Sequence, residues 1–462
     1  MNQLHQHEPE RAPITHRAQA LLIMVGLTLV CTLPLIMSGN ANGRGAADDF
    51  NYHWIAIQRF ALEWPNPDLS DYASATTPGY HLVLAPLVGA GLGHMGAQLV
   101  ALLWTLGFFG LLCWSASRYL GRLAAVICLP IVASMYTLYP GVWLLPDNAG
   151  WLLVLAIVLL ALRDRTGVPI WIVSGILLLA LVFVRQVHIW VAGTIWLSAW
   201  LGSDAGGPSD LRTFFSDTIA RAGRSVIAIA CTIPAFALLL WFLLMWGGLV
   251  PPMFQGMHQG PNPATPGFIL LQLGVISVFF VPVLWPHFRR LWAHQWKWVL
   301  LCAGLGVLFA LVPESAYSVD AGRYGGWWNI IKRSPSMGDR SLAYVGGAIF
   351  GAIALPVWLG LAPRRDAWVW VGTLVAFVAA QSANHASWQR YHEPLLLVML
   401  VLIIARSRWL GEMRARIVGG VLALSVVFGL LTLVSIIRAE PVVPRENPLD
   451  TQAVAASTPL VP

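Results

Sequence analysis

Apolar runs of about 15–22 residues recur along the whole chain, separated by short polar breaks that often carry arginine. Runs of that length match the roughly 20 residues an α-helix needs to cross a bilayer. Thirteen are read: 18–37, 95–116, 122–139, 148–162, 167–184, 187–202, 225–246, 267–285, 298–313, 343–361, 367–383, 393–405 and 417–437. The pattern predicts an all-α fold, a polytopic transmembrane helix bundle of about 13 spans. The apolar stretch 79–93 is too short for a full crossing and is broken by Pro86, Gly89, Gly91 and Gly93, so it reads as a re-entrant or interfacial helix. The first run reads as an uncleaved anchor rather than a signal peptide, because it is long and a dozen more spans follow.

Composition agrees. Of the 462 residues, 57% are hydrophobic and 11% charged, with a mean hydropathy of +0.68, where a soluble chain carries about 25% charged residues. The net charge of +7 then speaks to membrane orientation rather than to nucleic acid, and no nucleic-acid partner is expected. With the N-terminus inside, the inner segments hold 18 Lys/Arg against eight Asp/Glu, and the outer ones ten against thirteen. The positive-inside rule selects this layout, and it disfavours a full crossing by 79–93, which would invert every later loop. Several of the 23 Trp stand near span ends (Trp143, Trp285, Trp327, Trp328 and Trp388), as an interfacial belt requires. The five cysteines all lie in apolar runs without C-x-x-C spacing, so no disulfide framework and no metal site are read.

The domain reading follows: a cytoplasmic tail over 1–17, one transmembrane domain over 18–438, and a disordered Pro/Ala/Val-rich tail over 439–462. Polar residues concentrate outside, in segments 39–78, 247–266, 314–342 and 384–392. The first opens with Asp48-Asp49, followed by Tyr52, His53, Gln58 and Arg59, and Trp54–Leu62 has the spacing of an amphipathic helix lying on the membrane. Carboxylates there suit a general base on an acceptor hydroxyl, or are simply solvated loop acids. Arg323, Lys332, Arg333 and Arg340 lie on the face where short basic loops are disfavoured; they suit phosphate, or a charge cluster around Asp320 and Asp339. Arg185 either works at membrane depth or snorkels at a helix end. Asp147, after Pro146, reads as a helix N-cap.

In this order, these residues resemble the GT-C superfamily of membrane glycosyltransferases, and within it the dolichyl-phosphate-glucose α-1,2-glucosyltransferases. The matching pieces are Asp48-Asp49, Gln58, Ala75-Thr76-Thr77-Pro78-Gly79-Tyr80, Phe183-Val184-Arg185-Gln186, Asp320-Ala321-Gly322-Arg323-Tyr324 with Trp327, Trp328 and Lys332, and Arg390-Tyr391. The family's early His position is held by Tyr52, with His53 next, and its Gly-Asp-Arg-Ser stretch has no counterpart in 247–266. The resemblance implies a distant, bacterial, inverting hexosyltransferase of the inner membrane with a periplasmic site, 39–78 serving as catalytic loop and 314–342 as donor-phosphate loop. It implies a polyprenyl-phosphate sugar donor, a glycan or lipid-linked acceptor, membrane lipids as surroundings and no cofactor. Asp48 and Asp49 would be catalytic, and Arg323, Arg390, Arg185 and Lys332 would hold the donor phosphate. Tyr52, His53, Trp54, Tyr80, His81, Tyr324 and Tyr391 would contact substrate. The alternatives are a transporter or flippase of lipid-linked sugars and an O-antigen ligase or polymerase.

Overall fold

The computed structural model describes residues 12–203, 207–258, 260–407 and 410–442. The expected tails beyond 442 and before 12 fall outside them. The described chain is almost wholly helical; its one sheet is the hairpin Ser336–Met337 with Arg340–Ser341, turned at Gly338 with φ +59°. Among the described residues, six helices are long and apolar enough to cross a membrane: Ile14–Met37, His94–Leu120, Thr218–Trp246, Val281–Leu311, Leu342–Leu361 and Gly411–Ile437. Their outward faces are apolar, as lipid requires; on Thr218–Trp246, Ile219, Val226, Ile233, Leu240 and Leu244 are all exposed.

Several expected spans are built differently. The run 122–139 folds as three short helices, Leu123–Ile127, Leu129–Ala133 and Met135–Leu138, because Pro130 starts a new helix and Ser134 turns extended to cap the next through the Tyr136 N–H. The run 187–202 opens as a 3-10 turn, Gln186–Trp190, before Val191–Leu201. Val281–Leu311 covers parts of two expected spans and breaks at Gln295 (φ −143°, ψ 34°), with Trp292, Trp296 and Trp298 exposed around the kink. The helix Gly79–Gly89 has 11 residues, about 16 Å of rise, far short of the roughly 30 Å hydrocarbon core.

The helix Gln389–Arg406 is the central post. From Tyr391 to Ala405 every residue is buried, the signature of a helix surrounded by others. Its charged residues are Arg390, Glu393 and Arg406; Glu393 is buried one turn in, accepting from Ser134 Oγ and Gln389 Nε2, and both end arginines are paired. Arg406 binds Asp366 through Nε and through Nη2 (3.2 Å), and also the Tyr119 hydroxyl (2.9 Å). Arg390, at the other end, binds Asp48.

The first polar loop is ordered against this post. Helix Gly43–Asp48 runs through a π-helical turn, Asp49–His53, into the expected amphipathic helix Trp54–Leu62, which buries Ala56, Ile57 and Phe60. Residues 439–442, expected within the disordered tail, instead bridge its start: Gly43 N–H donates to the Glu440 carbonyl (2.9 Å) and Val442 N–H to that of Ala41 (3.1 Å).

Helices Thr265–Val278 and Leu342–Leu361 touch backbone to backbone, as small residues permit in a membrane. A Cβ on Gly351 would lie 1.8 Å from the Leu270 carbonyl oxygen, whereas one on Gly360 meets nothing within 4 Å. Gly351→Ala is therefore expected to destabilise the protein by about 1–3 kcal/mol and lower its melting temperature in detergent. Gly360→Ala should not lower it.

Candidate active site

Two cavities meet beside the first polar loop. One, about 310 Å³, is lined largely by polar and aromatic groups, among them Asn42, Tyr136, Tyr324, Asn329 and Gln389. The other, about 380 Å³, has an apolar wall of Val187, Ile189, Leu239, Leu249, Val250 and Phe254. Five residues line both: Arg44, Asp48, Asp147, Trp388 and Arg390. The charged groups thus gather where the chambers join.

Two ion pairs and one lone cation make up that junction. Arg390 Nη1 donates to Asp48 Oδ2 (2.5 Å), and its guanidinium lies over the rings of Trp388 (4.6 Å) and Tyr391 (5.1 Å). Its Nε–H has no protein partner among the described residues. Arg185 Nη1 donates to Asp147 Oδ2 (2.9 Å), with both side chains 7% exposed. Arg44 lies over Tyr324 (4.4 Å) and Trp388 (5.3 Å) and has no ion pair among the described residues. Three guanidiniums face two carboxylates, so the junction carries one excess positive charge.

The adjacent aspartates have separate surroundings. Successive helical residues point about 100° apart, and the π-turn begins between the two. Asp48 faces the chambers. Asp49 is fully buried, accepts from His94 Nε2 (3.0 and 3.1 Å) and from the Leu144 N–H (3.1 Å), and lines neither chamber. Burial pushes the Asp49 carboxyl above its ordinary range, while the His94 contact and the Leu144 N–H pull the other way.

The other expected site residues divide. Tyr52, His53, Arg185 and Tyr391 line the apolar-walled chamber, and Tyr324 the polar one. Trp54 packs edge-on against His94 (4.8 Å), and Tyr80 and His81 are buried behind the wall. Arg323 and Lys332 line neither chamber. Arg323 Nη1 donates to the carbonyls of Glu314 (2.5 Å) and Ala316 (2.6 Å), tying its own loop, and Lys332 is exposed. Asp147 is no cap: its side chain makes no capping bond and pairs with Arg185 instead. Arg44, absent from the expected site, carries the same sequence signal as Arg323: a basic residue in a segment where the expected layout disfavours one.

Loop order depends on Gln186. Its Oε1 accepts from the Thr77 N–H (2.9 Å), and its Nε2 donates to the carbonyls of Ala75 (3.0 Å) and Leu249 (2.9 Å). One amide therefore holds two walls of the apolar chamber together.

Asp49→Ala leaves the buried Leu144 N–H and His94 without their acceptor, and a loss of about 3 kcal/mol in folding stability is expected, read as a drop in melting temperature in detergent. A second expectation concerns pH. Burial first, then the Arg185 and Arg390 charges, hold the His53 imidazole down to about 3 from 6.5. Between those values the unfolded chain binds a proton that the folded one does not. The stability His53 contributes is then complete above about 6.5 and is lost as pH falls toward 3, by at most about 1.4 kcal/mol per pH unit. Melting temperatures measured from pH 7 to 4 should fall less steeply in His53→Gln than in the natural chain.

No protein-family model matches the chain, and no curated protein matches it in sequence. Among solved structures, it is similar to ArnT from Cupriavidus metallidurans bound to undecaprenyl phosphate, at 16% identity and a TM-score of 0.39, covering 90% of this chain and 75% of that one. The same protein in the apo state gives 17% identity and a TM-score of 0.36, covering 90% and 77%.

Proposed function

We propose that the chain is a membrane glycosyltransferase of GT-C type that moves a sugar from a polyprenyl-phosphate donor to a hydroxyl of a glycan or lipid-linked acceptor on the non-cytoplasmic face. The observation that carries this reading is the Asp48–Arg390 pair at the junction of a polar and an apolar-walled chamber. A reaction between a lipid phosphate ester and a sugar hydroxyl needs that arrangement: an isoprenoid-compatible side, a hydroxyl-rich side, and a base and a cation where they meet.

The excess positive charge suits a phosphate. Arg390, Arg185 and Arg44 would surround the donor phosphate, whose charge grows as the bond between the anomeric carbon and the phosphate oxygen breaks and the electron pair stays on oxygen. Asp48 would take the acceptor hydroxyl proton as that oxygen attacks the opposite face of the anomeric carbon, giving inversion. In the resting site Asp48 shares its charge with Arg390. An arriving phosphate competes for the same guanidinium and so frees the carboxylate when both substrates are in place. Asp49, sealed by His94 and Leu144, is assigned to holding the turn.

Sugar transfer in reconstituted membranes, from a panel of radiolabelled polyprenyl-phosphate sugars to a crude lipid acceptor extract, tests the reading. Asp48→Asn is expected to lower the rate by about 10²–10⁴-fold while the protein stays folded. Natural protein that binds these donors yet transfers nothing to any acceptor would make the chain a carrier instead.

A further inference from the structure

Behind the wall of the apolar chamber, two imidazoles share one hydrogen bond. His53 Nδ1 and His81 Nε2 are 3.0 Å apart. His53 lines the chamber, while His81 is fully buried among Phe60, Tyr72 and Tyr80. The remaining nitrogens differ. His81 Nδ1 is buried and has no partner; His53 Nε2 is not among the buried unpartnered atoms, has no hydrogen bond among the described residues, and so opens on the chamber.

The proton positions follow by counting donors. If His53 Nδ1 carried the hydrogen, His81 would hold its own on Nδ1, as a buried N–H with nothing to receive it. An unpaired buried donor is costly, and a bare ring lone pair much less so. His81 therefore carries its hydrogen on Nε2 and donates to His53 Nδ1. A neutral His53, accepting at Nδ1, then holds its one hydrogen on Nε2, aimed into the chamber. The Ser74 hydroxyl, 3.5 Å from the same Nδ1, sits at the limit of a bond and also meets Thr76 Oγ1 (3.0 Å).

We infer that His81 is a positioning residue that fixes the His53 tautomer, making His53 Nε2–H a neutral donor to the phosphate of the lipid-linked substrate. The inference rests on reading the apolar-walled chamber as the donor site. It adds directionality to that site: guanidiniums attract any anion, whereas one ring N–H on a rigid aromatic backing selects where a phosphate oxygen sits. Held neutral, His53 adds no charge to a junction that already has an excess cation.

Glutamine and asparagine at position 53 separate the two ring nitrogens, since a Gln amide reaches where Nε2 lies and an Asn amide only where Nδ1 lies. Binding of farnesyl phosphate and of uncharged farnesol to purified protein in nanodiscs, followed by tryptophan fluorescence, supplies the readout, with farnesol affinity reporting intact folding. The natural protein and His53→Gln are expected to bind farnesyl phosphate within about threefold of each other, and His53→Asn about tenfold or more weakly, with farnesol unchanged in all three. His81→Phe, which keeps the aromatic packing, should weaken the phosphate several-fold alone and cost nothing further in the His53→Gln background. Equal binding by His53→Asn and His53→Gln, or the same His81→Phe loss in both backgrounds, overturns the tautomer assignment and leaves the donor site standing. Natural protein that binds farnesol and farnesyl phosphate equally overturns the donor-site reading, and this inference with it.

Discussion

The bundle is organised around a buried helix whose charged residues stand only in its first two turns and at its last residue. Gln389–Arg406 is packed on all sides from Tyr391 to Ala405, so its two arginines must each find a carboxylate at the boundary of the apolar core. At one end Arg406 meets Asp366 and Tyr119 and lines neither of the two chambers. At the other, Arg390 meets Asp48 where two chambers join. The same physical requirement is met twice, once as a closed clasp and once at an open one. Both ends are paired; what distinguishes Arg390 is that its pair lines both chambers.

What holds the open end in register is distributed over distant parts of the chain. Asp49 ties the first loop to His94 and Leu144, Gln186 ties residues 75–77 to Leu249, and the backbone at 440–442 bridges to 41–43. None of these contacts bears on a reacting atom. Together they let a loop outside the long helices present a side chain with the precision usually expected of a helix.

The helical class and the amphipathic helix Trp54–Leu62 were legible because hydropathy over 20 residues and 3.6-residue spacing are local signals. Breaks inside apolar runs were less so. Pro130 and Ser134 divide the run at 122–139, but an average over that window dilutes both. Asp48, Arg185 and Arg390 stand out in the sequence by residue type and place, and the structure brings them to the two chambers. Asp147 was read as a cap because a lone Asp after proline has that local explanation, and only tertiary structure brings it to Arg185. Arg323 shows the converse: a suitable residue in a suitable loop whose Nη1 goes to the carbonyls of Glu314 and Ala316 and which lines neither chamber. Sequence gives a side chain's chemistry, whereas its available valence depends on neighbours far along the chain.

In the proposed mechanism the Asp48–Arg390 pair also reconciles two demands that conflict in an apolar setting. A carboxylate that accepts a proton must be charged before substrate arrives, yet an isolated charge at the edge of a hydrophobic bundle is strongly disfavoured. Pairing with Arg390 offsets that cost, at the expense of engaging a carboxylate oxygen that would accept the proton. One spare cation resolves the conflict. With Arg44 lacking an ion pair among the described residues, an incoming phosphate finds a positive charge that Asp48 does not already use. In that mechanism Arg390 has an anionic partner both before and after the phosphate binds, and Asp48 Oδ2 is released only when Arg390 turns to the phosphate. A site with equal numbers of cations and anions could not do this, because the phosphate would have to strip a partner from a carboxylate without any surplus to offset it.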